Sequence, residues 1–178
     1  MANFDSDLKV GELGVRLACA VLRRYGSVKR VEDDRYMQQR GIDIISDTLG
    51  YVEIKTDSHT PDRVFFELSS NGQPGAVDRS VADNFCIIFY KYNTMLIISR
   101  PHLQQFLREN IAHWLDRWPK WFITTRSSRG GNGWCSTGVL VPITVLIGKL
   151  GNRVTQLTWN EEEEVFSSEQ NRDSNREN

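Results

Sequence analysis

The sequence has few cysteines, no long hydrophobic run and no excess of positive charge. Its three cysteines, Cys19, Cys86 and Cys135, are an odd number and lie far apart, which argues against a disulfide framework or a zinc site and is typical of reduced thiols. The longest apolar stretches, residues 85–90 and 139–147, are too short to span a membrane. The first residues, MANFDSD, are acidic and polar, so we expect no signal peptide, a cytoplasmic location and no membrane partner.

Several catalytic motifs are also missing. The chain has no internal repeat, no glycine-rich phosphate loop and no Ser-His-Asp ordering. Functions that depend on those motifs therefore lose their support in the sequence.

The charge of the chain is unevenly distributed. The whole chain carries 22 Lys and Arg against 23 Asp and Glu, but residues 160–178 alone hold seven of the acidic residues. The remaining residues hold 20 basic against 16 acidic side chains, a mild positive balance that permits contacts with phosphate. We predict one globular α/β domain over residues 1–159, followed by an acidic, disordered tail over residues 160–178.

The most informative stretch is residues 41–57, GIDIISDTLGYVEIKTD. Alternation of apolar and polar residues on both sides of the turn at residues 47–50 predicts a β-hairpin. The expected turn sets Asp43 opposite Lys55, so the side chains of Asp43, Glu53 and Lys55 would share one face of the hairpin.

Two carboxylates and one lysine on such a face suit the hydrolysis of phosphodiesters. Hard oxygen ligands select Mg²⁺, with Mn²⁺ as a substitute, and the cation can also bind the scissile phosphate. The metal lowers the pKa of a bound water and offsets charge in the transition state. The lysine would orient that water or neutralise the phosphate, and no covalent nucleophile is required.

Asp43, followed after nine residues by Glu53-Ile54-Lys55, resembles the signature of the PD-(D/E)-x-K nuclease superfamily. The family's proline before the aspartate is replaced by Ile42. The resemblance covers roughly residues 5–115 and implies a restriction-endonuclease-like fold with an αβββαβ core, in which helices flank a mixed central sheet. It also implies that Asp43 and Glu53 are metal ligands, that the carbonyl of Ile54 is a further ligand, and that Lys55 is the catalytic lysine.

A narrower similarity is to phage and bacterial members of this superfamily. In these, the lysine strand is followed by an FFEL strand, an asparagine, a Pro-Gly turn and an Ala-Asp pair before an apolar strand. The corresponding residues here are 65–68, Asn71, Pro74-Gly75 and Ala82-Asp83.

Two further carboxylates are candidate site residues. Glu12 lies on the first predicted helix, where the family carries a metal-proximal glutamate; alternatively it forms an ion pair with Arg16. Glu67 is a second-tier candidate, because its strand would project it onto the active face if that strand paired with the lysine strand. The alternative for Glu67 is a charge on an edge strand that faces water.

Four arginines are candidate contacts to DNA. Arg35 and Arg40 lie just before Asp43, and Arg126 and Arg129 lie in the segment RSSRGGNG. Arginine and glycine in a loop are typical of segments that contact the nucleic-acid backbone. Solvated loops and a plain β-turn are the alternatives.

Periodicity and turn residues predict the secondary structure. Residues 35–40 and 70–83 are expected to be loops. The helices are expected at residues 5–25, 101–119 and 143–150, and the strands at 28–34, 42–45, 51–56, 64–69, 84–90, 95–99, 121–125, 134–140 and 153–159.

The function predicted from these residues is that of a Mg²⁺-dependent DNA endonuclease that acts on duplex or branched DNA. Cleavage of both strands would favour a homodimer. One alternative is a nucleic-acid-binding module that has the same fold and no catalysis. Another is an α/β interaction domain in which the pattern of Asp43, Glu53 and Lys55 is accidental.

Overall fold

The computed structural model describes residues 4–31, 33–56, 62–127 and 134–160. Within these ranges, the helices are α1 (Phe4–Leu22), α2 (Arg35–Gln39), α3 (Ala76–Arg79), α4 (Arg100–Arg117) and α5 (Ile143–Leu150). The strands are β1 (Val28–Arg30), β2 (Ile44–Ser46), β3 (Gly50–Thr56), β4 (Arg63–Ser70), β5 (Gln73–Pro74), β6 (Asn84–Phe89), β7 (Thr94–Ser99), β8 (Phe122–Ser127), β9 (Trp134–Pro142) and β10 (Val154–Thr158). None of these helices is both long and apolar enough to cross a membrane. The predicted tail beyond Asn160 lies outside the described residues.

The larger sheet is mixed and has the strand order β1-β2-β3-β6-β7-β10. Strand β3 pairs with β6 in parallel, and the other pairs in this sheet are antiparallel. Helix α1 packs on one face of this sheet, and helix α4 contributes to the apolar core on the other. The prediction of an α/β fold with a mixed sheet between helices is confirmed at this level.

The position of β4 was predicted wrongly. It was expected to join the sheet of the lysine strand, but it lies in a second sheet with the order β5-β4-β9-β8. The physical reason is that β3 already pairs with β2 along one edge and with β6 along the other. A strand with both edges occupied has no backbone groups left for a further partner.

Alternation along β3 separates its apolar and charged side chains. Val52 and Ile54 are buried against α1, together with Cys86 and Ile88 of β6. Glu53 and the residues two positions before and after it therefore face the opposite side of the sheet. On that side, β6 and β7 pack against α4 and against β4 and β9 of the second sheet.

Strands β6 and β7 form the predicted apolar hairpin, and both are interior strands. Ser99 is the N-cap residue of α4 by position, but its side chain makes no capping hydrogen bond and its hydroxyl instead lies 2.8 Å from Nδ1 of His102. Trp114 is buried, whereas Trp118 is 44% exposed and its ring stacks on that of Trp121 at 4.8 Å between centroids. The aromatic residues at this end of α4 are therefore buried only in part.

Residues 35–39 form helix α2, where a polar connection was predicted. Asp34 caps this helix, because its Oδ1 accepts the N–H groups of Tyr36 and Met37 at 2.9 and 3.3 Å. The helix contains no buried residue. It therefore lacks the apolar periodicity from which a helix is predicted. The predicted loop over residues 70–83 likewise contains the short elements β5 and α3.

Helix α1 approaches β3 closely at Gly14. A methyl group on Gly14 would overlap the side-chain hydroxyl of Thr56, whereas a methyl group on Gly11 would meet nothing within 4 Å. Gly14 therefore allows the close approach of α1 to the sheet, and Gly11 does not. Because Thr56 follows Lys55 directly, this contact fixes the end of β3 that carries the lysine.

We expect Gly14→Ala to lower the free energy of unfolding by about 1–3 kcal/mol, because the methyl group forces α1 and β3 apart. Gly11→Ala is the matched control in the same helix, and it should raise stability by roughly 0.5–1 kcal/mol through helix propensity alone. Urea unfolding followed by circular dichroism measures both changes. Equal effects of the two substitutions would contradict the close packing at Gly14.

Candidate functional site

The hairpin of β2 and β3 has a register two residues away from the predicted one. Ser46 pairs with Gly50, so the turn consists of residues 47–49. Gly50 closes it in the left-handed region, with φ of 69°. A shift of two residues preserves the faces of both strands. Asp43 lies beside residues 52–54 rather than opposite Lys55, and Glu53 and Lys55 still point to its side of the sheet.

Asp43 is held by three hydrogen bonds just before β2 begins. Its N–H donates to the carbonyl of Val52, and its own carbonyl accepts the N–H of Val31, both at 2.9 Å. Its side-chain Oδ2 accepts the backbone N–H of Ile54 at 2.6 Å. The carboxylate of Asp43 is therefore fixed against the peptide that joins Glu53 to Ile54.

Glu53 and Lys55 form an ion pair two residues apart on β3. The Nζ of Lys55 lies 2.5 Å from Oε1 of Glu53, and the side chains are 34% and 8% exposed respectively. The second oxygen of Glu53, Oε2, is buried and has no hydrogen-bond partner among the described residues. A buried carboxylate oxygen without a partner is unfavourable. A cation that bound there would remove that penalty.

Gly41 and Ser80 form the wall against which the carboxylate of Glu53 lies. A methyl group on Gly41 would lie 2.7 Å from Oε2 of Glu53 and 2.8 Å from Oγ of Ser80. The hydroxyl of Ser80 donates to the carbonyl of Gly41 at 3.2 Å and accepts the N–H of Ala82 at 3.1 Å. Gly41 has φ of 69°, a conformation that favours glycine. Neither residue was predicted as part of the site.

Asp43, Glu53 and Lys55 open into a cavity of about 900 Å³. Its other walls come from the end of α2, from α3 and from the second sheet. The remaining lining residues are Gln38, Gln39, Arg40, Gly41, Ile54, Thr56, Val64, Phe65, Glu67, Ala76, Arg79, Ser80, Ile123, Thr125 and Leu140. The three residues predicted to share one face thus line one cavity.

Glu67 lines this cavity from the second sheet, so it reaches the site by a different route from the one predicted. Its Oε2 accepts a hydrogen bond from the hydroxyl of Ser136 at 2.5 Å, and its Oε1 lies 3.8 Å from Nη2 of Arg79. At Glu67, β4 pairs with β9 alone, because β5 pairs with β4 only at Ser69 and Ser70. The side chain of Glu67 is nevertheless only 16% exposed, so its charge does not simply face water.

Glu12 is not among the residues that line the cavity. Its Oε1 lies 3.0 Å from Nη2 of Arg16, which confirms the ion pair that was considered as its alternative role. The side chain of Glu12 is 47% exposed, whereas that of Arg16 is 9% exposed. A metal-proximal role for Glu12 stays a prediction.

The four candidate arginines lie in different places. Arg40 lines the cavity, and its guanidinium group donates to the hydroxyl of Tyr36 at 3.1 Å. Arg35 and Arg126 are exposed and do not line it, and Arg129 lies outside the described residues. Arg79, the one cation of the segment predicted as a loop over residues 70–83, also lines the cavity.

The side chains at this site fit a hard cation held by oxygen atoms. No three His, Cys, Asp or Glu residues in the described part of the chain lie close enough together to hold a metal ion. Mg²⁺ needs fewer protein ligands, since it is commonly held by one or two carboxylates, with water and substrate phosphate as the other ligands. Asp43 and the buried Oε2 of Glu53 suit that mode of binding.

The cysteines do not contribute a nucleophile to the cavity. Cys19 and Cys86 are buried between α1 and the sheet, and none of the three cysteines is in a disulfide. Burial, together with the neighbouring Cys19, raises the pKa of the Cys86 thiol. The thiol form, which is a poor nucleophile, is therefore favoured.

Comparison of the chain with protein-family models, curated proteins and solved structures found no match. Any functional assignment therefore depends on the residues of the cavity itself.

We expect substitution of Lys55 and substitution of Glu53 to change the free energy of unfolding differently when EDTA is present. Lys55→Met should lower the free energy of unfolding by about 1–3 kcal/mol, because it leaves the Glu53 carboxylate buried without a cation. Glu53→Gln should leave stability unchanged or raise it, because it removes the buried charge. Urea unfolding gives both values, with Lys149→Met at an exposed position as the control. A stability loss on Glu53→Gln as large as that on Lys55→Met would contradict this account.

Proposed function

We propose that this chain is a Mg²⁺-dependent DNA endonuclease of the PD-(D/E)-x-K type. The observation that carries the proposal is the convergence of Asp43, Glu53 and Lys55 on one cavity, with Oε2 of Glu53 buried and unpartnered among the described residues. A domain that only bound DNA would gain nothing from two carboxylates close to a phosphate.

The residues of the cavity would have different roles in the reaction. Asp43 and Glu53 would hold the cation, with the carbonyl of Ile54 as a further ligand. Bound Mg²⁺ would lower the pKa of a water ligand and offset the charge that develops on the phosphate. Lys55 supplies a positive charge beside the carboxylates, where it orients the attacking water or neutralises the scissile phosphate.

The order of elements around the site supports a restriction-endonuclease-like core. Helix α1 is followed by three strands, and β6 then joins β3 in parallel. The order departs from the αβββαβ pattern between β3 and β6, because the chain there forms β4, β5 and the four-residue helix α3. The long helix α4 follows the two strands β6 and β7 instead.

The charges of the cavity are compatible with a phosphate substrate. Three cationic side chains line it, those of Arg40, Lys55 and Arg79, against the carboxylates of Asp43, Glu53 and Glu67. A divalent cation would make the balance positive, which attracts phosphate. Cleavage of both strands of a duplex or a junction would be explained by a homodimer that presents two such cavities.

The first test is cleavage of supercoiled plasmid and of a synthetic four-way junction with Mg²⁺, Mn²⁺ or EDTA. We expect cleavage with either metal and none with EDTA. Lys55→Ala should reduce the rate by about 100-fold or more, the usual contribution of a group that acts in proton transfer. Lys149→Ala, which removes an exposed lysine outside the cavity, should cleave at the wild-type rate.

Two results would count against the endonuclease. Equal cleavage by wild type and Lys55→Ala would exclude the proposed site. Binding of both DNAs without cleavage under any metal condition would favour the catalytically inactive binding module.

Metal binding can be tested without a substrate. A ligand that binds only the folded protein stabilises it, by about 2.7 kcal/mol at a concentration 100 times its Kd. We therefore expect Mn²⁺ or Mg²⁺ to raise the Tm of the wild type and EDTA to reverse the change. Asp43→Asn and Glu53→Gln should abolish the shift, whereas Lys149→Ala should retain it. A full shift in Glu53→Gln would show that the cation binds elsewhere.

A further inference from the structure

The second sheet presents two different faces. Val64 and Phe66 of β4 are buried in the main core with Val139 and Val141 of β9. Val64 also borders the cavity, but most of the lining from this sheet comes from the alternate residues on the opposite face, which are Phe65, Glu67, Ile123, Thr125 and Leu140. This outer face therefore forms one wall of the cavity that contains the candidate active site.

The ring of Phe65 lies over Gly138 on this outer face. Phe65 is opposite Leu140 in the pairing of β4 with β9, and Gly138 is the residue opposite Glu67. A methyl group on Gly138 would overlap Cε2 and Cζ of the Phe65 ring. The ring therefore extends diagonally over the glycine, where a side chain would otherwise stand. Because Phe65 is only half-buried and lines the cavity, part of the ring remains available to a ligand.

We infer that Phe65 is a stacking platform for an unpaired nucleobase of the DNA that is cleaved. This inference rests on the proposed function, because the phosphate of that nucleotide would lie at Asp43, Glu53 and Lys55. It defines the substrate more narrowly as DNA with a single-stranded segment or a flap at the site of cleavage.

The need for an unpaired base follows from the geometry of stacking. Within a duplex, both faces of a base are covered by its neighbours, so a protein can contact only the edges of the base. An aromatic ring becomes a useful platform when a base is unstacked, as in single strands or after base flipping. A cavity of about 900 Å³ is within the usual range for a site that encloses a small ligand.

The surroundings of the ring suit a nucleotide. Lys55, Arg40 and Arg79 on the neighbouring walls supply positive charge for the phosphates. Beside the ring, the Glu67 carboxylate is held by the hydroxyl of Ser136. Its oxygens are acceptors suited to an amino group on the edge of a base. The cavity thus combines an aromatic face, an acceptor and cations.

The experiment compares equilibrium binding of a fluorescent single strand and of a blunt duplex of the same length. Ca²⁺ replaces Mg²⁺, and the DNA is checked on a gel for integrity after each titration. We expect Phe65→Leu, which keeps an apolar side chain but removes the ring, to weaken binding of the single strand by roughly 5- to 150-fold. Binding of the blunt duplex should not change. Phe65→Trp should restore the affinity, and Phe122→Leu, which alters a phenylalanine packed against the main core, is the control.

A second measurement begins with the wild-type protein alone, and this first stage does not depend on the folding of any variant. Single strands in which one nucleotide at a time lacks its base should show one position where the loss weakens binding. In Phe65→Leu, the loss at that position should have no further effect, because the ring and the base form one contact.

The two proposals fail in different ways. If wild type and Phe65→Leu bind single strands equally while the plasmid is still cleaved, the stacking platform is wrong and the endonuclease stands. Tighter binding of the blunt duplex than of the single strand by the wild type would also overturn the platform. If the wild type binds no DNA and cleaves none, the proposed function fails and the platform fails with it.

Discussion

The buried carboxylate of Glu53 is the constraint on which the rest of the site depends. Strand β3 has partners on both edges and α1 over one face, so the side chain of Glu53 has only one direction left. In that direction Lys55 pairs with one of its oxygens, and Gly41 leaves room for the other. The side chain of Glu53 is 8% exposed, and burying a charge is unfavourable unless its oxygens are paired. Lys55 pairs with Oε1, whereas the buried Oε2 has no hydrogen-bond partner among the described residues. This oxygen is the strongest physical argument for a role of Glu53 in binding or catalysis.

The faces of the hairpin could be predicted from the sequence, whereas its register could not. Alternation alone places Asp43, Glu53 and Lys55 on one side, and a shift of two residues leaves that result intact. In the shifted register, Gly50 pairs with Ser46 at the end of the turn. The N–H of the next residue, Tyr51, is held at 2.9 Å by the distant side chain of Asp83. Such a contact between residues far apart in the chain has no signal in local periodicity.

The second sheet was missed for the same reason. Strand β4 has its main partner in β9, some seventy residues later in the chain, and a pattern of alternation does not specify a partner. Gly41 and Ser80 were missed because they act through small size and backbone contacts. The position of Gly41 directly before an alternating strand is the one signal that a closer analysis of the sequence could have used. A glycine at such a position often marks a tight backbone approach.

The segment of the chain between β3 and β6 forms a wall of the cavity that is separate from the hairpin with the candidate catalytic residues. The residues that would carry out the chemistry lie on the β2-β3 hairpin. Much of the opposing wall comes from β4, which belongs to the second sheet, and from α3, which lies in the chain between β5 and β6. The wall can therefore vary in sequence without disturbing the pairing of the central strands. Under the proposed function, exchange of this segment would change which substrate the cavity accepts while Asp43, Glu53 and Lys55 stay in place.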